Sequence, residues 1–106
     1  MSYSSPPNPY YRPEEMGLKQ IMIISDPAND CEYHYLVVWQ HLTGLLYWAE
    51  DSGCSCPWPF EDYDSIEKLN KLTKASSSDF EKHVLDMPSS MEDKQEMLKA
   101  VRKLLR

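Results

Sequence analysis

The stretch YHYLVVWQH, residues 33–41, carries the strongest strand signal in the chain. It is rich in aromatic and β-branched residues, which favour extended backbone. Successive side chains of a strand point to opposite faces, so Val37 and Trp39 share one face, and Leu36 and Val38 share the other. Apolar residues on both faces are typical of a strand that is covered on both sides. We predict that residues 33–41 form the central strand of a sheet.

Two further strands are predicted close by in the sequence. Residues 18–25, LKQIMIIS, are short, apolar and β-branched, and residues 45–50, LLYWAE, follow the central stretch almost directly. The connection at residues 42–44 is short enough for a hairpin, because Gly44 can adopt a positive φ. These spacings predict an antiparallel sheet of at least three strands, built as a meander or hairpin.

In the last third of the chain, apolar residues recur with the spacing of an α-helix. The apolar spacing of residues 66–72 predicts a first short helix. A second helix is predicted to begin at the capping box Ser78-x-x-Glu81 and to end before Pro88, and a third spans residues 90–105 with Ser90 as its cap. Strands followed by helices predict an α+β fold, with two to three C-terminal helices packed on one face of the sheet.

The N-terminal residues differ in composition from the rest of the chain. Residues 1–13, MSYSSPPNPYYRP, contain four prolines and no apolar periodicity, so we expect a flexible Pro/Tyr-rich arm. Residues 14–106 then form a single α+β domain, a common domain length. No apolar run has the length of a membrane helix or the layout of a signal peptide, which predicts a soluble protein with no membrane partner.

Charge is unevenly distributed along the sequence. Residues 1–67 hold 11 acids and 2 bases, whereas residues 68–106 hold 6 acids and 9 bases, which gives the formal net charge of −6. The acidic part would repel the phosphates of nucleic acid, which argues against a nucleic-acid partner. The acidic charge leaves open a third hypothesis, in which the protein is a DNA-mimic inhibitor. We rank it below a protein-binding role and a zinc-binding role, because the acids cluster in loops instead of forming a regular array.

The cysteines raise the question of a metal site. Cys54 and Cys56 form a single C-x-C pair. The further candidate metal ligands are Cys31 and His34. Structural zinc needs four ligands, usually from two closely spaced pairs, and this chain offers one pair. We therefore expect reduced thiols, no metal and no cofactor. A small zinc-binding domain that uses these residues is the alternative, and elemental analysis separates the two hypotheses.

The sequence favours a protein without catalytic activity. The segment from Cys54 to Trp58 resembles the nucleophile segment of papain-like proteases only superficially, since the chain is too short for the distant His and Asn of those enzymes. A glycine-rich phosphate loop is excluded, because the chain has three glycines in all. We predict no enzymatic activity and no catalytic residues.

The loop DSGCSCPWPFEDY, residues 51–63, is a candidate partner-binding surface. Its prolines flank Trp58 and stiffen the backbone, and a preorganised tryptophan beside acids resembles a protein-binding hot spot. Phe60 and Tyr63 also suit a role in the core, and Trp58 packing on its own sheet is the competing interpretation. The predicted partner-binding residues are Trp58, Phe60, Glu61, Asp62 and Asp64.

Four stretches of the chain resemble a family of small proteins of unknown function encoded by actinobacterial tailed phages. The matching stretches are PYY-x-PE-x-x-GL (residues 9–18), VVW (37–39), G-x-LYWA (44–49) and DSGCSCP-x-PFEDY (51–63). Trp58 occupies a variable position of the last motif, so any role of its ring belongs to this protein alone. The resemblance implies a phage origin and a location in the host bacterial cytoplasm, and it implies no activity. We therefore expect a phage accessory protein that binds a host or phage protein.

Overall fold

The computed structural model describes residues 8–25, 32–54, 60, 63 and 65–105, with the backbone alone at Glu32 and Cys54. In this part of the chain the strands come first and the helices follow, which confirms the predicted α+β class. The elements are β1 (Leu18–Ser25), β2 (Glu32–His41), β3 (Leu46–Cys54), β4 (Asn70–Leu72), α1 (Ser77–Asp86) and α2 (Met91–Leu104), with 3₁₀ turns at Pro13–Met16 and Ile66–Lys68.

The sheet is an antiparallel meander. Across the described residues its order is β1-β2-β3-β4, so that β2 pairs with β1 on one side and with β3 on the other. The hairpin between β2 and β3 is closed by a 2.7 Å hydrogen bond from the His41 N–H to the Leu45 carbonyl. Gly44 has φ 94° in this turn, as the sequence predicts. The meander therefore follows directly from the spacing of the strand signals.

Each face of the sheet has its own core. The helices α1 and α2 cover one face and form the helix-side core, which contains Ile24, Leu36, Val38, Leu46, Trp48, Leu72, Phe80, Val84, Met87, Met97, Leu98 and Val101. Irregular segments cover the other face and form the loop-side core, which contains Met16, Leu18, Val37, Trp39, Tyr47, Ala49, Phe60 and Leu69. Residues 36–39 of β2 are fully buried and alternate between the two cores. The prediction that this strand is covered on both faces is confirmed.

The predicted helix at residues 66–72 is wrong. The chain forms only the 3₁₀ turn Ile66–Lys68 and then pairs as β4, where Leu72 lies opposite Leu46 of β3. The physical reason is that Leu69 belongs to the loop-side core and Leu72 to the helix-side core. A helix would place residues three apart on one face, whereas the extended chain at the sheet edge sends these two leucines to opposite faces.

The predicted start of α2 agrees with the structure, whereas the predicted start of α1 differs from it. Ser90 caps α2, since its side chain accepts a 3.2 Å hydrogen bond from the Asp93 N–H, as predicted. The helix α1 begins at Ser77, one residue before the predicted capping box. Ser76 precedes it and accepts a 2.9 Å bond from the Thr73 N–H, so a turn before the helix sets where α1 starts.

A buried lysine joins the two helices. Lys94 of α2 is only 8% exposed, and its Nζ donates a 2.7 Å hydrogen bond to the Leu85 carbonyl near the end of α1. A cation at a helix C-terminus satisfies a carbonyl that lacks an intrahelical partner and interacts favourably with the helix dipole. This contact fixes the end of α1 against α2.

In the described part of the chain, no helix has both the length and the apolar character needed to cross a membrane.

The structure describes only the end of the predicted arm, residues 8–13. Asn8 is 6% exposed and Pro9 is fully buried, and the 3₁₀ turn at Pro13–Met16 places Met16 in the loop-side core. The segment from residue 8 to residue 13 therefore packs with the sheet. The rest of the predicted arm, residues 1–7, lies outside the described residues.

Replacing Val38 by aspartate tests the doubly covered strand. Val38 is fully buried, so Val38→Asp places a charge without a partner in the helix-side core, and we expect a loss of about 3 kcal/mol or more in unfolding free energy. Leu42→Asp makes a matched apolar-to-acid change at a residue that is 88% exposed, and should cost less than about 0.5 kcal/mol. Urea denaturation measures both, and equal losses would contradict the assignment of β2 as the central strand.

Candidate protein-interaction surface

The loop-side cover is attached to the sheet by a buried tryptophan. The Trp39 indole Nε1–H donates a 2.9 Å hydrogen bond to the Pro9 carbonyl, and both residues are fully buried. A buried indole N–H needs an acceptor. The Pro9 carbonyl needs a donor in turn, because Pro9 lies outside the strands and helices. The bond therefore fixes the path of the N-terminal segment across the face of β2.

Asn8 shapes the turn that follows. Its side-chain Oδ1 accepts hydrogen bonds from the Tyr10 N–H at 2.8 Å and the Tyr11 N–H at 2.9 Å, which is the pattern of an Asx turn. Its Nδ2 donates to the Phe60 carbonyl at 3.4 Å. One side chain thus builds a turn and joins it to a residue 52 positions later in the chain.

Phe60 lies inside the loop-side core. Its ring is fully buried and contacts Trp39 edge-on at 5.5 Å and Tyr63 at 5.4 Å. Its backbone has φ 60°, an unusual value for a residue with a Cβ, and its N–H donates a 2.8 Å bond to Asp51 Oδ2. This position agrees with the core role that the sequence also allowed for Phe60, and its predicted partner-binding role stays a prediction.

Four tyrosines form a continuous row beside this cover, and we call them the tyrosine row: Tyr11, Tyr10, Tyr35 and Tyr33. Successive ring centroids are 5.0, 5.2 and 5.6 Å apart; the first contact is edge-to-face and the other two are stacked. Tyr11 is 55% exposed, and the other three are half-buried. The row therefore presents ring surface to solvent from a base that is packed on the sheet.

An aspartate lies at one end of the tyrosine row. The Tyr33 hydroxyl donates a 3.1 Å hydrogen bond to Asp51 Oδ2, the same oxygen that accepts from the Phe60 N–H. The Tyr63 hydroxyl donates to the Glu50 carbonyl at 3.3 Å. Asp51 therefore joins β3 to the backbone of Phe60 and to the tyrosine row, and adds negative charge to the same surface.

The environment of Tyr10 favours its neutral form. Burial raises the pKa of the Tyr10 phenol from 10.0 to about 12, and its hydrogen bond to Tyr35 and the neighbouring Tyr35 and Tyr11 phenols act in the same direction. Tyr10 also stacks on the buried Phe60 ring at 6.1 Å. Tyr10 therefore contacts both the loop-side core, through Phe60, and the rest of the tyrosine row.

A second polar cluster lies on the helix side of the sheet. The Glu50 carboxylate accepts hydrogen bonds from both imidazoles around it, from His34 Nε2 at 2.5 Å and from His83 Nδ1 at 2.8 Å. The His83 ring also lies 4.8 Å from the Trp48 ring. These contacts attach α1 to β2 and β3 through one carboxylate, and the sequence analysis did not single out Glu50 or His83 as a pair.

The described residues do not test the alternative that the protein binds zinc. His34, one of its four candidate ligands, is hydrogen-bonded to Glu50. In the described part of the chain no group of three or more His, Cys, Asp or Glu side chains is arranged to hold a metal ion. Cys31 and Cys56 lie outside the described residues, as does the side chain of Cys54.

The remaining predicted partner-binding residues also lie outside the described residues: Trp58, Glu61, Asp62 and Asp64. Their sequence neighbour Phe60 belongs to the loop-side core, and Tyr63 packs against it. The sequence analysis missed the tyrosine row, because Tyr10 and Tyr11 were assigned to a flexible arm. The Asn8-Pro9 dipeptide before them is a turn signal that indicates where the ordered chain begins.

These contacts define a small α+β domain whose sheet is covered by helices on one face and by an aromatic N-terminal segment on the other. The chain matches, over residues 7–106, the family described as domain of unknown function (DUF7574), and it belongs to that family. A search of the curated proteins and a search of the solved structures each gave no match. The family match begins at residue 7 and so includes the segment that Trp39 fixes to the sheet.

Alkaline unfolding tests the environment of Tyr10. Because folding raises the pKa of this phenol from 10.0 to about 12, its stabilising contribution is complete below pH 10 and is lost as the pH rises through 12. Tyr10→Phe removes the ionisable group, so unfolding free energy should fall less steeply between pH 10 and 12 than in wild type. Tyr11→Phe is the control: it removes only the smallest of these causes and should change the slope less than Tyr10→Phe does. A wild-type slope in Tyr10→Phe would refute the assignment.

Proposed function

We propose that this protein is a small non-catalytic binding protein whose tyrosine row, together with the acidic residues of positions 51–64, binds a basic segment of another protein. The proposed setting is a phage accessory role in the host bacterial cytoplasm, with a host or phage protein as the partner. The motif in residues 51–63 supports this setting through its resemblance to small phage proteins. The observation that carries the binding role is the tyrosine row itself.

Exposed tyrosines on a fixed base are suited to protein recognition. A tyrosine supplies a large rigid ring and a polar hydroxyl with few rotatable bonds, so ordering it costs little entropy when a partner binds. Here the base is already fixed, because Trp39 holds Pro9 and Asn8 holds the backbone of Tyr10 and Tyr11. Such preorganisation lowers the ordering cost that weakens most contacts made by irregular segments.

The charge around the row favours a basic partner. Asp51 lies at the row, Glu14 and Glu15 are exposed in the turn that follows Tyr11, and residues 1–67 hold 11 acids and only 2 bases. An arginine of the partner can stack on a tyrosine ring and pair with a nearby carboxylate. Glu61, Asp62 and Asp64 would add to this field and would raise the association rate more than the residence time.

Site-specific photocrosslinking tests the proposed surface. A benzoylphenylalanine at position 11 should form an adduct with the partner, whereas the same group at position 85 should not. The two positions are matched in exposure, since Tyr11 is 55% and Leu85 is 50% exposed, and Leu85 lies in α1 on the opposite side of the sheet. Adducts of equal strength from the two positions, or an adduct only from position 85, would overturn the proposal.

The partner identified by crosslinking then allows a test with purified proteins. Trp58→Ala should weaken binding by on the order of 2 kcal/mol, about 30-fold in Kd, if this ring is a hot spot, and should leave the melting temperature nearly unchanged. A lower melting temperature with unchanged binding would assign Trp58 to the core instead. The association rate should fall as salt is raised, because exposed charges are screened.

A further inference from the structure

The carboxylate at the end of the tyrosine row is held in place without a cation. Asp51 is half-buried, and its Oδ2 accepts hydrogen bonds from the Tyr33 hydroxyl at 3.1 Å and from the Phe60 N–H at 2.8 Å. Both donors are neutral, so the carboxylate keeps its negative charge. Within the part of the chain that the structure describes, Asp51 forms no ion pair. A partly desolvated charge of this kind is stabilised by a cation that a ligand supplies.

Two stacked tyrosine rings flank this carboxylate. Tyr35 lies directly opposite Asp51 in the pairing of β2 with β3, so the two side chains are neighbours on one face of the sheet. Tyr33 stacks on Tyr35, with ring centroids 5.6 Å apart and ring planes inclined by 23°. All three residues are half-buried, so each keeps surface that a ligand can contact. The structure therefore places one carboxylate beside two accessible aromatic rings.

Gly53 allows Tyr33 to take this position. It is the partner of Tyr33 in the sheet register, and a Cβ at residue 53 would lie 3.2 Å from the Tyr33 hydroxyl and 3.4 Å from Cε2 and Cζ of the ring. A larger residue at position 53 would press on the end of the ring that bonds Asp51. The absence of a side chain at Gly53 is thus part of how the hydroxyl reaches the carboxylate.

The chemistry of the site favours a guanidinium over an ammonium group. A guanidinium is planar and weakly hydrated, and it can stack on an aromatic ring while its N–H groups bond a carboxylate. A lysine ammonium is strongly hydrated and needs several acceptors, whereas Asp51 Oδ2 already accepts two hydrogen bonds. A methylated ammonium is recognised by a cage of rings around it, and nearly parallel rings do not form such a cage.

We propose that Asp51, Tyr33 and Tyr35 form a site for one arginine side chain of the partner and select arginine over lysine. The inference rests on the proposed function, because it names the group of the basic segment that the tyrosine row recognises. The guanidinium stacks on the accessible surface of the tyrosine rings and donates hydrogen bonds to the Asp51 carboxylate. Asp51 is therefore the specificity-determining residue of the surface, and Gly53 is a positioning residue that acts through Tyr33.

NMR titration of the isotope-labelled full chain tests the site. The probes are blocked peptides Gly-Gly-X-Gly-Gly in which X is arginine, lysine, trimethyl-lysine or citrulline, the uncharged isostere of arginine. The arginine peptide should bind at least about threefold more tightly than the lysine peptide and about tenfold more tightly than the citrulline peptide. Shift changes should centre on the amides of residues 33–35, 51 and 60, because the Phe60 N–H bonds Asp51.

Three results of this titration would overturn the proposal. Equal affinity for the arginine and lysine peptides would show that only charge is recognised. Tighter binding of the trimethyl-lysine peptide would assign the rings to a methylated ammonium group. Shift changes centred outside the tyrosine row would place the arginine elsewhere on the protein. None of these comparisons depends on a variant, so misfolding of a variant does not affect them.

A pair of isosteric variants separates local pairing from general attraction. Asp51→Asn keeps an oxygen that can accept from the Tyr33 hydroxyl and the Phe60 N–H but removes the charge, and should weaken binding of the arginine peptide by about fivefold or more. Glu96→Gln removes the same charge from an exposed position of α2 and should change affinity by less than about twofold. Equal losses in the two variants would contradict the site.

The crosslinking experiment distinguishes failure of this site from failure of the proposed function. A benzoylphenylalanine at position 11 reports whether the tyrosine row meets a partner, whichever side chains that partner presents. An adduct at position 11 together with equal affinity for the arginine and lysine peptides would keep the binding role and overturn the arginine site. A preference for arginine at residues 33–35 and 51 without an adduct at position 11 would support the site and count against the proposed partner surface alone.

Discussion

The hydrogen bond from the Trp39 indole to the Pro9 carbonyl determines how one face of the sheet is covered. Both groups are fully buried, and loss of the donor would leave a carbonyl without a partner at a cost of about 1–3 kcal/mol. Asn8, next to Pro9, then forms the turn that places Tyr10 and joins the carbonyl of Phe60. The loop-side core and the tyrosine row are therefore consequences of one buried donor on the central strand.

The two faces of the sheet are covered in physically different ways. On one face, α1 and α2 satisfy their own backbone hydrogen bonds, and Lys94 and Glu50 attach them to each other and to the sheet. On the other face, irregular segments must find partners for their backbone groups one at a time, which is why Asn8 and Asp51 each accept two hydrogen bonds from N–H or O–H donors. A surface built in this way is specific to its sequence and offers polar and aromatic groups at its margin.

The sequence predicted the features that depend on local pattern. The alternation of residues 33–41, the hairpin at Gly44 and the cap at Ser90 each depend on residues close in the chain, and the structure confirms all three. The turn of Asn8 depends on Trp39 and Phe60, and the strand β4 depends on pairing with β3. Contacts between distant residues override local propensity, which is why the helix predicted for residues 66–72 does not form. The same holds for Glu50, whose two histidines lie 16 and 33 residues away.

Amide hydrogen exchange in a pair of tryptophan variants tests the central claim most directly. Trp39→Phe removes the indole donor on the loop side, and Trp48→Phe makes the same change in the helix-side core, where Trp48 contacts Phe80 and His83. We expect Trp39→Phe to speed exchange selectively in the residue 8–17 segment, including the Arg12 and Gly17 amides that bond to Asn8 and Glu14. Trp48→Phe should speed exchange in α1 and leave that segment protected. Unchanged protection of residues 8–17 in Trp39→Phe, or the same loss in both variants, would contradict the account.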